Sequence, residues 1–163
     1  MTTKAVAAFD LAEALLAAFS TNDRINAYLI ENLPDESWRA TPAGGKGRTI
    51  AAIMGHMHNV RLMWLKAAGY SGKMPEKLDG DEFSKTDVAK ALAASCHAAH
   101  ELLAESIASD GRIKGFKPDA ASFFGYLVAH DAHHRGQIAL LARQLGHPLP
   151  KAAGYGMWEW GTR

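Results

Sequence analysis

The sequence predicts an all-α chain folded as a four-helix bundle, and three observations predict it. Four long segments place apolar residues at helical spacing. Gly- and Pro-rich breaks separate them. No stretch alternates as a strand does, and no repeat of about 20–50 residues points to a solenoid.

The first helix is expected from about Lys4 to Asn32. Leu11, Leu15, Ala18, Phe19, Ile25, Leu29 and Leu33 form its apolar side, and Pro34 ends it. Its opening, MTTKAVAAFDLAEALLAAFS, faintly resembles a signal peptide, but Asp10 and Glu13 interrupt the apolar run at a spacing that suits an amphipathic helix. The linker PDESWRATPAGGKGR follows, with Trp38 as its expected anchor on the core. Thr49 is placed to cap the second helix, whose stripe is Ile50, Ile53, Met57, Val60 and Trp64 and whose stop is Gly69. After the loop GYSGKMPEKLDGDEFS, the third helix begins around Thr86. Asp87 sits in its first turn, where a negative charge suits the helix dipole. Leu92, Ser95, Cys96, Ala99, Leu102, Leu103 and Ile107 line it to about Gly111. The fourth helix runs from Pro118–Asp119 to about Leu145, where Gly146, Pro148 and Pro150 end it. The tail GYGMWEWGTR is Gly-rich and aromatic. Trp158 and Trp160 alternate, so they cannot share a helical face, and at least one is expected to cover the bundle end or a subunit interface. The connections on either side of the second helix are long for simple hairpins, so at least one is expected to cross over the bundle end.

A length of 163 residues fits one domain, 1–163. The net charge of +1, without a basic block or acidic tail, argues against nucleic acid and membrane surfaces as partners. No run approaches about 18 uninterrupted apolar residues, so no membrane span is expected and a cytoplasmic location is the default. Cys96 is the one cysteine, which excludes an internal disulfide and a Cys-based zinc site. It reads as a small buried hydrophobe rather than a reactive thiol.

Eight histidines are many for this length, and four of them fall in HDAHHRGQIALLARQLGHPLP, residues 130–150. His130 and His134 are one turn apart, in line with Leu127, Ile138, Leu141 and Leu145, so both follow the core-facing stripe. Two buried neutral imidazoles each need a polar partner, and a metal ion satisfies both at once. His133 is turned about 100° from His134, toward a neighbouring helix or solvent. His147 lies in the helix-ending segment. A third ligand could come from His56 or His58, which flank the second helix's stripe on opposite sides, or more weakly from His97 or His100; periodicity does not choose. A carboxylate-bridged di-iron site is excluded, because Asp131-x-x-His134 has no matching second set.

Around the pair, Asp131 is either an acceptor for an imidazole N–H or a solvated helix charge. Arg135 either binds a substrate carboxylate or faces outward. Gly136 suggests a close helix approach or a local distortion, and Gln137 is a candidate bridge between helices. Asn22, Asn26 and Asn59 are interior polar groups or surface residues.

The segments TIAAIMGHMHNVRLMWLKAAG and HDAHHRGQIALLARQLGHPLP, with the closing MWEW, resemble the DinB/YfiT-like family of metal-dependent proteins over almost the whole chain. The family motif has one His eight residues before a Trp-Leu pair and two more in H-x-x-x-H-R-G-Q. Here these are His56 before Trp64-Leu65, and His130 and His134 before Arg135-Gly136-Gln137. The resemblance thus selects His56 over His58. It implies a four-helix bundle, often a homodimer, with a three-His site at one end for a divalent metal, commonly zinc or nickel. It also implies a small-molecule substrate and chemistry with low-molecular-weight thiols, as in the thiol-dependent transferases and isomerases of the family. A metal-dependent hydrolase and a non-catalytic metal- or ligand-binding stress-response protein are the other readings.

Overall fold

In the computed structural model, residues 8–163 are described. Four long helices are present: α1 (Leu11–Asn32), α3 (Ile50–Ala68), α4 (Lys85–Ile107) and α5 (Ala120–Gln144). Two short ones, α2 (Asp35–Trp38) and α6 (Lys151–Gly156), lie in the linker and the tail. No strand occurs among the described residues, apart from an isolated bridge between Ile113 and Phe116. No helix among them is long and apolar enough to cross a membrane.

Side-chain caps set the starts of the long helices. Asp10 accepts from the backbone N–H of Ala12 and Glu13, so α1 begins at Leu11, later than its apolar pattern suggests. The expected first turns at Lys4–Ala7 lie outside the described residues. Thr49 caps α3 as expected, and Asp119 caps α5. For α4 the cap is Ser84, in a reciprocal capping box with Asp87.

Two apolar clusters fill the ends of the bundle. One gathers Leu29 and Leu33 from the end of α1, Ile50 and Ile53 from the start of α3, Val88 and Leu92 from the start of α4, and Ile138 and Ala142 from the end of α5. The other gathers Phe19, Trp64, Leu103 and Phe123 at the opposite ends of the same helices. Hence α1 and α5 run one way, and α3 and α4 run the other. Each of α1 and α3 packs mainly on α4 and α5, which puts α1 opposite α3 across the bundle.

This order contains the expected crossover, along the flank and not over an end. Residues 69–84 run back along the flank of the bundle, so that α3 and α4 lie parallel. Asn59 holds that segment through both amide groups, donating to the Leu78 carbonyl and accepting from the Leu78 N–H. His58 Nε2–H donates to the Glu76 carbonyl at 2.8 Å. At the segment's end, the tip of the Phe83 ring lies where a Cβ on Gly55 would come within 2.8 Å, so a larger residue there would displace the ring. Trp38 anchors the first linker as expected: it is buried, and its indole N–H donates to the Phe83 carbonyl. Neither tail tryptophan covers a bundle end. Trp158 is 80% exposed and Trp160 38%, both against the flank of α5.

Candidate metal centre

α3 and α5 bring three imidazoles together. His56 lies nearly two turns into α3, with Ile53 and Met57 facing the core beside it. His130 and His134 project from the middle of α5, one turn apart. One ring nitrogen from each residue falls within 4.8 Å of those of the other two. The site is thus on the α3–α5 flank near mid-length, not at a bundle end. His58 points instead at the crossover segment and is fully buried there. His97 is 76% exposed on α4, and His133 is exposed on α5. His100 and His147 are half-buried and outside the cluster.

The three ring nitrogens are close enough together that they could hold a metal ion. His134 Nδ1–H donates to Gln137 Oε1 at 2.9 Å, which leaves a lone pair on Nε2. Facing it at 3.2 Å is Nε2 of His130. Two nitrogens so close need a proton or a cation between them. Ligands about 2.0–2.1 Å from a tetrahedral zinc ion lie roughly 3.3 Å apart, close to this separation. Burial, followed by the charges of Arg48, His134 and His130, lowers the pKa of His56 to about 4. Burial also lowers that of His134. Both rings are therefore neutral at neutral pH, the form that binds metal.

An aromatic wall adjoins the cluster. The Tyr126 ring stacks on His130 at 5.9 Å, and Trp64 and Phe116 pack against Tyr126 at 5.7 and 5.6 Å. A hollow of 1030 Å³ lies elsewhere, along residues 110–118. That hollow has no converging ligands, so the imidazoles and not the cavity size mark the chemistry.

Behind His130 lies a buried polar layer between the two apolar clusters. Asp131 is 1% exposed, which excludes a solvated helix charge. Its Oδ2 accepts from Asn22, Asn26 and Arg61 at 2.7, 2.9 and 2.7 Å. Its Oδ1 lies 3.9 Å from His130 Nδ1, an electrostatic neighbour rather than a hydrogen-bond partner. Arg61 is itself 1% exposed and also pairs with Asp23 at 2.8 Å. Burial opposes both charges, but the pairing outweighs it. The Asp131 carboxyl is held well below the usual range, and the Arg61 guanidinium above its own.

Asn22 and Asn26 are fully buried interior groups, while Asn59 serves the crossover segment. Arg135 is turned away from the imidazoles and donates to the side-chain carbonyls of Asn22 and Asn26. It neither reaches a substrate at the cluster nor faces freely outward. Gln137 bridges no helices; it fixes His134 on its own helix. Gly136 has nothing within 4 Å of where a Cβ would be, so no close helix approach explains it.

Arg61 and Asp23 did not stand out in the sequence. A signal for Arg61 existed, because it lies four residues after Met57 and eight after Ile53, inside the apolar stripe. Asp23 has no comparable mark. The DinB family model matches residues 1–161. The chain belongs to the DinB family. No curated protein matches it. The three converging imidazoles are the histidines that carry the family motif, and the fold brings them together from two helices.

Proposed function

We propose that this DinB-family chain is a metal-dependent enzyme that joins a low-molecular-weight thiol to a small electrophilic substrate. His56, His130 and His134 would hold a divalent ion, zinc or nickel as the family resemblance implies, and imidazole ligands suit both. The observation that supports this most is the pair of facing Nε2 atoms at 3.2 Å, with His134 Nδ1–H committed to Gln137. Held by three neutral ligands, such an ion would keep its double positive charge and act as a Lewis acid with coordination positions to spare.

The chain's own groups assign the remaining roles. Gln137 sets the His134 tautomer. Asp131, fixed by three donors, places a negative charge behind His130. Tyr126, Trp64 and Phe116 exclude water on one side of the cluster. Cys96 cannot be the nucleophile: it is 7% exposed, and burial pushes its thiol up to about 12. A thiol would therefore come from solution.

Metal analysis of the purified protein, followed by a screen of thiols with electrophiles, tests the reading. About one divalent ion per chain is expected, lost in His130→Ala and retained in His133→Ala, with thiol consumption that depends on the metal. Retention of the ion in His130→Ala would overturn the site. Hydrolysis without thiol would overturn the reaction while leaving the site standing.

A further inference from the structure

The outer face of α5 and the chain's tail enclose a second site. Ala132, Arg135 and Ala139 form its floor, and Met157, Trp158 and Trp160 its wall, around a hollow of 340 Å³. Arg135 is five residues from His130, or about 140° around the helix, so this groove opens on a different flank from the imidazoles.

Two features of the groove are unexplained by the fold. The first is the guanidinium. Arg135 Nη1 donates to Asn22 Oδ1 at 2.9 Å and Asn26 Oδ1 at 2.6 Å, which fixes the group in place. Among the described residues its Nε and Nη2 have no partner, and neither is closed off from solvent. The second is the indole of Trp158, 80% exposed beside Trp160 and Met157. An exposed indole beside an anchored guanidinium pairs an apolar surface with a charged donor. Glu159, the nearest acid in the tail, is engaged by Arg163 at 3.1 Å and does not compete for Arg135.

We propose that this groove binds a small organic anion, a carboxylate or sulfonate on an aromatic or aliphatic body, with the acid group on Arg135 and the body against Trp158 and Trp160. A guanidinium offers two parallel N–H donors that match such an oxyanion, and here it is already held in place, so little ordering is needed on binding. The volume suits a small molecule, near the lower end of the roughly 300–1,000 Å³ typical of ligand pockets. A purely apolar occupant would leave the two free donors unpaired.

Isothermal titration of chelator-treated protein with 2-naphthoate and with 2-naphthalenemethanol tests this apart from the metal centre. Naphthoate is expected to bind one per chain, about tenfold tighter than the alcohol, since a charge-assisted pair adds on this order. Arg135→Gln should abolish that difference. Trp158→Ala, at an exposed position where folding is not at stake, should weaken both ligands. His130→Ala should bind naphthoate as the unaltered protein does. Equal affinity for acid and alcohol would overturn the proposal, and so would unchanged binding in Trp158→Ala. Loss of binding in His130→Ala would overturn it by placing the anion at the imidazoles. A dimer that excludes naphthoate, and dissociates in Trp158→Ala, would assign the groove to a second copy and overturn it as well.

Discussion

Arg61 decides the charge balance of the interior. It faces two carboxylates, Asp23 and Asp131, in a layer with apolar clusters above and below. Removing one partner of a buried pair leaves an uncompensated charge, which costs about 3–5 kcal/mol. Arg61→Leu is therefore expected to lose stability on that order in urea denaturation of chelator-treated protein. The Asp131 carboxyl is held below its usual range, so the unfolded chain takes up the proton first as pH falls. Its contribution is complete above the unfolded value of about 3.9 and fades only as pH drops from there toward the folded value. The stability gap between the protein and Asp131→Asn should stay constant from about pH 8 to 5 and narrow below about 4. A gap that closed near pH 6 would implicate an imidazole instead. Cys96 gives a simpler check: an aromatic disulfide reagent should label it far more slowly in the native protein than in urea. At this scale the His130–His134 pair was legible, because a 3.6-residue period puts i and i+4 on one face. Periodicity did not choose between His56 and His58, and only the family motif selected His56; a wheel ranks faces by polarity, while the crossover segment that gives His58 its own partner is invisible to it.

Among the elements, α3 connects the most. It supplies His56, Arg61 and Trp64, and through Asn59 and His58 it also anchors the segment that runs back to α4. Its first turn depends on Thr49, whose hydroxyl oxygen accepts from Ala52 N–H while its O–H donates to Asp81. Thr49→Ala should cost about 1 kcal/mol, the usual worth of such a cap. Asn59→Ala should leave helix content unchanged in circular dichroism but remove the hydrogen-exchange protection of the Leu78 amide. Retained protection there would mean the segment is held by something other than Asn59. The four long helices could be read from periodicity because each buries a continuous stripe. α2 and α6 could not, because four and six residues are too short to show a period, and the Gly-rich composition of α6 argued against helix.

At the scale of the whole molecule, the order of helices around the bundle escaped the sequence for a physical reason. An amphipathic stripe requires each helix to face the centre but does not say which helices are neighbours or which way each runs. The bundle that results places α3 antiparallel to α5, and this is what sets His56 against His130 and His134. A metal ion held by these three residues would therefore join two long helices that residues 69–119 separate along the chain. An ion that binds only the folded bundle stabilises it by mass action, about 2.7 kcal/mol at a hundredfold excess over the dissociation constant. In a domain of this size that corresponds to a melting temperature roughly 5–10 °C higher. Zinc or nickel added to chelator-treated protein should produce that shift, and removal should reverse it. His56→Ala and His130→Ala should each abolish it, although they alter different helices. Abolition by His130→Ala alone would mean that α5 binds the ion without α3, and the bridge between the two helices would be lost from the account.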